Sequence, residues 1–303
     1  MRFDGIHHVT CITADAPANV DFYTRVLGLR LVKKTVNQDD PTVYHLFYAD
    51  EAGNAGSDIT FFEYPHARAG QAGDGMVHTI VWRLGSADAL GFWADRLGAE
   101  GCNVEADGRS LRFANPEGLQ HELLVSQVED EPLVAHHPEI PRELALQGFE
   151  GVRAYGRPGD EFLTALGFEQ QDGRWDTRAD TRGGWIEYAE APHVAAVGGA
   201  GTVHHVAWAS QMDDQQAWRD RVVEAGGNPT EIIDRFWFRS IYFREPAGVL
   251  FEIATLGPGF TTDEEPEHLG EKLILPPAFE HLRERVEPVL TPLPDPRASW
   301  AER

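Results

Sequence analysis

The chain has 303 residues, enough for two typical domains or for one fold built by repetition. Its net charge of −23 argues against a nucleic-acid ligand, because a phosphate backbone would be repelled. Cys11 and Cys102 are too few for a disulfide framework and lack the spacing of a zinc site. No apolar run approaches the roughly 20 residues of a membrane helix, and the N-terminal residues do not read as a secretion signal. No membrane association and a cytoplasmic location are therefore expected.

Four copies of a βαβββ unit are predicted between residues 3 and 255. Each copy opens with a strand and continues with a helix and further strands, and the third copy is compressed. The opening strands lie in GIHHVTCIT, VHTIVWRL, GFEGVRAYG and GTVHHVAWA. In the first copy, Asp15 is a plausible N-cap for the helix and Gly28 a plausible stop.

These elements predict an α+β protein in which the four modules form cupped mixed β-sheets in two tandem domains. The expected divisions are an N-terminal domain (1–128), a polar, proline-bearing linker (129–143), a C-terminal domain (144–258) and a tail (259–303). The tail contains a helical stretch, AFEHLRERVEPVL, that is expected to act as a brace or lid. The linker pair His136 and His137 is expected to be solvated.

Adjacent histidines occur at corresponding places in the opening strands of units one and four. The first position of the pair holds His7, His78, Glu150 and His204 in the four units, and the second holds His8, Thr79, Gly151 and His205. Only units one and four therefore carry both histidines. The second position distinguishes these two units from the others.

The closing strands of the four units can be aligned on a shared glycine, and the position compared lies four residues after that glycine. This alignment gives Thr60, Glu122, Glu187 and Glu252 for units one to four. The cup formed by units two and three would then offer acids and no imidazole at these positions. We expect that cup to be structural.

Units one and four would together offer His8, His205 and Glu252 if their strands line one concave sheet. Thr60 leaves the fourth corner without an acid. Two imidazoles and one carboxylate with open positions form the facial triad of non-haem Fe(II) oxygenases. The repeat alignment therefore predicts a metal site shared by the first and last units.

A resemblance to the vicinal oxygen chelate superfamily (glyoxalase/bleomycin resistance/extradiol dioxygenase) rests on GIHHVT, LGLRLVKKTVNQDDPTVYHLFYADEAG, GTVHHVAW and DRFWFRSIYFREPAGVLFEIAT. More narrowly, almost the whole chain resembles bacterial ring-cleaving dioxygenases that open hydroquinones. The resemblance implies Fe(II), with Mn(II) as the alternative, held by His8, His205 and Glu252. It also implies a surrounding set of catalytic residues, namely His7, Thr10, His204, Arg235 and Tyr242.

The activity that the resemblance implies is extradiol-type ring cleavage, with both atoms of O2 inserted into a hydroquinone- or catechol-type ring. The expected partners are therefore a small aromatic substrate and O2. His7, His204 and Tyr242 are candidates for proton transfer, and Arg235 is the candidate electrostatic stabiliser. Strand alternation turns His7 and His204 away from the metal face. Either a β-bulge re-aims them or they act from behind the sheet.

Two alternatives stay open at this point. A Lewis-acid enzyme of the glyoxalase, epimerase or thiol-transferase type would share the fold, although Thr60 stands where a second carboxylate would be needed. A non-catalytic drug-binding protein would not need a complete metal triad. The pocket is expected to be shaped by Phe236, Trp237, Lys34 and His45. A homo-oligomer is compatible with the sequence, which does not fix the oligomeric state.

Overall fold

The structure is a computed structural model that describes residues 1–298. The chain forms four modules, each with the predicted βαβββ order. Module one contains β1 (Ile6–Thr13), α1 (Ala16–Asp21), β2 (Arg30–Val36), β3 (Tyr44–Ala49) and β4 (Asp58–Glu63). Module two contains β5 (Val77–Leu84), α2 (Ala87–Ala99), β6 (Glu105–Ala106), β7 (Ser110–Ala114) and β8 (Gln120–Val125).

The second half of the chain repeats this order. Module three contains β9 (Phe149–Tyr155), α3 (Asp160–Ala165), β10 (Glu169–Gln171), β11 (Arg174–Arg178) and β12 (Gly183–Ala189). Module four contains β13 (Thr202–Ser210), α4 (Gln215–Glu224), β14 (Ile233–Asp234), β15 (Arg239–Arg244) and β16 (Leu250–Thr255). The predicted α+β class and its repeated module are confirmed.

The modules pair into two mixed sheets of eight strands. One sheet joins modules four and one in the order β14-β15-β16-β13-β1-β4-β3-β2. The other joins modules three and two in the order β10-β11-β12-β9-β5-β8-β7-β6. Each sheet thus takes one module from each half of the chain. The domain boundaries drawn around 129–143 stay a prediction.

Side-chain alternation in β1 separates the apolar core from the polar face of the sheet. Val9 and Cys11 belong to the main apolar cluster and are fully buried. His8 and Thr10 point the other way and contact polar side chains of neighbouring strands. The helix that follows begins as expected, because the Asp15 carboxylate accepts a hydrogen bond from Ala18 N at 3.0 Å. A π-helical turn, Phe22–Val26, extends this helix.

The tail runs along β2, the edge strand of the first sheet. Ile274 N donates to Lys34 O at 2.9 Å, so the tail uses backbone groups that an open edge would leave exposed. The expected helical stretch is present as a 3-10 segment (Pro277–Leu282), α5 (Arg283–Val286) and a second 3-10 segment (Glu287–Val289). Residues 299–303 lie outside the described part of the tail. Within residues 1–298, no helix has the length and apolar character needed to span a bilayer.

Of the two linker histidines that were expected to be solvated, only one is exposed. His136 is exposed, but His137 is buried, so the expectation that both are solvated is wrong for His137. The Nδ1 atom of His137 accepts a hydrogen bond from Glu139 N at 3.1 Å. Burial lowers the pKa of His137 to about 4, so this ring is neutral near pH 7.

A buried lysine fastens the tail to module one. The fully buried Lys33 places its Nζ 2.8 Å from an Asp263 carboxylate oxygen and also contacts the Glu264 carboxylate. The same Nζ lies 5.0 Å from the centre of the Trp237 ring. Asp263 in turn accepts a hydrogen bond from Trp237 Nε1 at 3.0 Å. The tail is therefore tied to β2 and to the residues that follow β14.

Replacement of Lys33 by methionine is expected to lower the free energy of unfolding by about 3 kcal/mol, because two carboxylates lose a buried partner. Lys272→Met is the matched control, since Lys272 is exposed and its loss should cost less than about 0.5 kcal/mol. Urea unfolding of the full chain measures both values. Equal effects of the two substitutions would contradict this account of the tail.

Candidate metal centre

Modules one and four meet through the antiparallel pair β1–β13, which is interrupted by two bulges. Ile6 faces Trp208 and His8 faces Ala207, so His7 is an extra residue on β1. Thr10 faces His205 and Cys11 faces Val203, so His204 is an extra residue on β13. Both histidines therefore occupy bulges, as the first alternative requires. Each bulge allows two consecutive histidine rings to contact each other.

Three ligand-type atoms converge at the centre of this sheet. His8 Nε2 lies 3.3 Å from His205 Nε2 and 3.1 Å from Glu252 Oε2. His205 Nε2 lies 2.8 Å from the same carboxylate oxygen. All three side chains are buried. Among residues 1–298, no other cluster of three or more His, Cys, Asp or Glu side chains has this metal-binding geometry.

The donor set fits a first-row divalent metal. Such ions bind imidazole nitrogen and carboxylate oxygen at about 2.0–2.2 Å, and ligands at right angles are then about 3 Å apart. Glu252 Oε2 is buried and makes no hydrogen bond of good geometry, despite its short distances to the two imidazoles. Burial alone would raise the pKa of Glu252, but the facing His8 and His205 hold it well below its usual value. A buried, ionised carboxylate oxygen without a hydrogen-bond donor is stabilised when a cation binds to it.

A hydrogen-bonded chain behind His8 fixes its tautomer. His7 Nε2 lies 3.0 Å from the carbonyl oxygen of Thr255, which can only accept, so Nε2 carries the proton. Burial, and then the neighbouring His8, lower the pKa of His7 to about 3. The neutral His7 ring therefore accepts at Nδ1 from His8 Nδ1, 2.9 Å away. This leaves the lone pair of His8 Nε2 directed at the site.

The second pair repeats the contact with a different exposure. His204 Nδ1 lies 2.8 Å from His205 Nδ1. His204 is exposed, whereas His7 is buried. The His204 ring also packs edge-on against Phe62 at 5.6 Å. His7 is thus anchored to the backbone, while His204 connects the site to the surface.

The β15–β16 hairpin supplies the next contacts. Tyr242 faces Glu252 in the strand register, as the EPAG turn predicts. The second carboxylate oxygen of Glu252 accepts a hydrogen bond from Ser240 Oγ. The Tyr242 hydroxyl accepts from Arg235 Nε at 3.3 Å. Burial, and then Glu252, raise the pKa of Tyr242, so the phenol is protonated near pH 7.

Thr10 is linked to the cleft residue His45 by Thr60. Thr60 occupies the position in module one that corresponds to Glu252 in module four. The Thr60 hydroxyl donates to Thr10 Oγ1 at 2.9 Å and lies 2.8 Å from His45 Nε2. Both threonines are fully buried. Thr60 therefore serves as a hydrogen-bonding residue between β1 and β3. His45 is held in place by it.

The triad lies at the base of a narrow cleft. Its walls are aromatic, formed by His45, Phe47, Phe62, Trp237 and Phe238. Its mouth is polar, with Asn37, Gln38, Asp39 and Arg235. Aromatic walls with a polar mouth suit a planar ring that carries a polar group.

Two of the four residues expected to shape the pocket do so. Trp237 and His45 line the cleft, but Lys34 and Phe236 do not. Lys34 lies under the tail, where its Nζ donates to Leu293 O at 3.3 Å. Phe236 has a φ of 75°, a turn conformation that a strand pattern does not anticipate. Phe238, two residues on, lines the cleft in its place.

Sequence reasoning missed Ser240 and Asp39. Ser240 was detectable, because it lies two residues before Tyr242 and strand alternation puts both on one face. Asp39 was not, because its position depends on a loop from a different module.

The other sheet contains the same bulges without the ligands. His78 and Glu150 are the extra residues of the β5–β9 pair. His78 Nδ1 contacts Thr79 Oγ1 at 2.9 Å, as His7 contacts His8. The cup is filled by Arg153, which binds Glu122 at 2.9 Å and also pairs with Glu187. Arg153 thus occupies the place that the metal would take in the first sheet, and the structural role of this cup stays a prediction.

The chain is similar to several named proteins over almost its whole length. The chain is 37% identical to "Putative ring-cleaving dioxygenase MhqA" of Bacillus subtilis, over 97% of this chain and all of that protein. It is 33% identical to "Chlorohydroquinone/hydroquinone 1,2-dioxygenase" of Sphingobium indicum, over 94% of this chain and 95% of that protein. A crystal structure of a Bacillus subtilis protein described as a putative dioxygenase superposes with a TM-score of 0.89, at 37% identity, over 96% of this chain and 98% of that chain.

The family assignment rests on both halves of the chain. The sequence pattern of one superfamily matches residues 5–119 and 148–253, which contain the three candidate ligands and all five candidate catalytic residues. The resemblance stated from the sequence is confirmed. The chain belongs to the Glyoxalase/Bleomycin resistance protein/Dioxygenase superfamily.

Proposed function

We propose that this protein is an Fe(II)-dependent, extradiol-type dioxygenase that cleaves a hydroquinone- or catechol-type ring and inserts both atoms of O2. Mn(II) is the alternative ion. The observation that carries the proposal is the convergence of His8 Nε2, His205 Nε2 and Glu252 Oε2 at the base of an aromatic cleft. Relatives with ring-cleaving and hydroquinone dioxygenase names support the reaction class.

The ion would be held by His8, His205 and Glu252, with its remaining positions open to the cleft. When bound, it supplies adjacent places for an ionised ring hydroxyl and O2, and it allows electrons to pass between them. The protein contributes two neutral imidazoles and one carboxylate. This set leaves a single net positive charge on a divalent ion, which favours an anionic ring ligand.

The cleft walls orient the ring and exclude water. Phe47 and Trp237 are almost fully buried and lie against the tail residue Phe260, so this wall is backed by packed side chains. Phe238 packs 5.3 Å from the His8 ring, beside the triad. A planar ring in the cleft would therefore lie beside the triad, where its hydroxyl oxygen would be the group able to reach a bound metal.

Polar residues around the triad handle protons and charge. The protonated Tyr242 can donate its hydroxyl proton to an oxygen in the cleft, and Arg235 provides a fixed positive charge beside it. His204 is the candidate acid–base residue, because it bonds to His205 and is exposed. His7 positions His8, and Thr10 positions His45 through Thr60.

A fourth protein ligand would favour the Lewis-acid alternative. The corner where that ligand would lie holds Thr60, whose hydroxyl is engaged by Thr10 and His45. The structure therefore offers no observation in favour of that alternative. The cytoplasmic location and a homo-oligomeric state remain predictions.

Anaerobically purified protein loaded with Fe(II) is expected to consume O2 when hydroquinone, methylhydroquinone, chlorohydroquinone or catechol is added. Glu252→Gln should abolish uptake, because it removes the anionic ligand. Glu122→Gln is the matched control at the equivalent place in the other sheet, and it should keep the activity. An oxygen electrode, with mass analysis of the product in ¹⁸O2, measures uptake and insertion of both atoms.

Absence of uptake with all four rings, together with isomerase activity on a hemithioacetal, would contradict the proposal and favour the Lewis-acid alternative. Equal loss of activity in Glu252→Gln and Glu122→Gln would argue against the assigned site.

Substitution of His7 by phenylalanine is expected to weaken Fe(II) binding about 10- to 100-fold, because His8 loses the acceptor that fixes its tautomer. His78→Phe is the matched control, since His78 occupies the equivalent bulge in the other sheet. Anaerobic competition against a chromophoric chelator measures both affinities. Unchanged affinity in His7→Phe would show that the hydrogen bonds from Thr255 O through His7 do not support His8 as a metal ligand.

A further inference from the structure

A contact between modules one and four bridges the mouth of the cleft. The segment 37–43 joins β2 to β3 and carries Asp39, whereas Arg235 follows β14. Arg235 forms a two-pronged pair with Asp39, with Nη1–Oδ1 and Nη2–Oδ2 distances of 3.2 and 3.0 Å. The side-chain amide of Gln38 donates to the carbonyl oxygen of Arg235 at 2.8 Å. All three residues line the cleft.

The two sides of this bridge are anchored differently. The Arg235 side chain is 15% exposed and the Asp39 side chain 73%. Arg235 is also held from inside, because Nε donates to the Tyr242 hydroxyl and the guanidinium lies 5.4 Å from the Tyr242 ring centre. If the pair separates, Arg235 keeps its place in the cleft and Asp39 can move into solvent.

The bridge is weak enough to be displaced. An ion pair with one solvent-exposed partner contributes about 0–1 kcal/mol, since water and salt screen it. An ionised ring hydroxyl in the cleft would meet Arg235 in a drier place, where a charge-assisted hydrogen bond is stronger. Asp39 and the ring oxygen would then compete for the same terminal nitrogens.

Arg235 has no substitute in this role. Among the described residues that line the cleft, it is the one side chain with a permanent positive charge. The chain as a whole carries a net charge of −23, so an anionic ring approaches against an unfavourable field. The carboxylate of Asp39 adds to that field at the entrance.

We propose that Asp39 is a gating residue that holds Arg235 across the mouth and yields it to the ionised hydroxyl of an incoming aromatic ring. This inference rests on the proposed function. It narrows the proposed substrates to aromatic rings that are anionic when they enter the cleft or that lose a proton inside it. The Asp39 side chain bonds to Arg235 and is not one of the three ligand residues. It acts through Arg235 and sets how readily the cleft accepts a charged ligand.

Asp39→Asn tests the gate, because it keeps the side-chain size and removes the charge. Asp40→Asn is the matched control: it removes the same charge one residue away, from a carboxylate that bonds to Thr42 within the loop. The probe is 4-nitrocatechol, whose absorption reports its ionisation, titrated anaerobically into the Fe(II)-loaded and the metal-free protein. KM and kcat for O2 uptake with hydroquinone are measured on the same preparations.

In Asp39→Asn, the probe Kd and the hydroquinone KM are expected to fall about two- to fivefold, as removal of a competing surface ion pair requires. The value of kcat should change less than twofold, and Asp40→Asn should match the unsubstituted protein. Unchanged or weaker binding in Asp39→Asn, or an equal gain in Asp40→Asn, would overturn the gate.

The gate and the proposed function can fail separately. If Asp39→Asn binds the probe more tightly but no ring supports O2 uptake, the gate stands and the dioxygenase assignment fails. If O2 uptake occurs while Kd and KM are the same in both proteins, the gate fails and the dioxygenase assignment stands.

Discussion

The antiparallel pairing of β1 with β13 is the constraint on which the candidate site depends. It joins the first and last modules of the chain and brings His8 Nε2 to 3.3 Å from His205 Nε2. Glu252 completes the set because β16 pairs with β13, in a register that places Glu252 opposite Ala207. No single module contains more than two of the three ligands, so the site exists only when both ends of the chain are paired.

The bulges in this pair give the two histidines of each module different tasks. An unbroken strand would place His7 behind the sheet, whereas the extra residue lets its ring meet His8 edge to face. The second sheet has bulges at the same places, with Thr79 where the first sheet has His8. Backbone geometry is therefore shared by both sheets, and the ligand-type residues alone make one of them a candidate metal centre.

Local regularities explain how much of this was predictable from the sequence. The triad followed from comparison of repeats, because a strand has a period of two and each module keeps the same offsets. Tyr242 followed from hairpin register. The places of Lys34 and Asp39 were not predictable, since they depend on which tail or loop packs against the strand from elsewhere. Arg153, which fills the second cup, was detectable, because it lies two residues after Gly151 on β9 and faces Glu187 in the register with β12.

Convergence of three lone pairs on one point is the central claim, and anomalous scattering tests it most directly. Crystals grown with Fe(II) in the absence of O2 would be measured on both sides of the iron K edge. The expected result is one strong peak about 2.0–2.3 Å from His8 Nε2, His205 Nε2 and Glu252 Oε2. A peak beside Glu122 or Glu187, or none within bonding distance of all three atoms, would contradict the account.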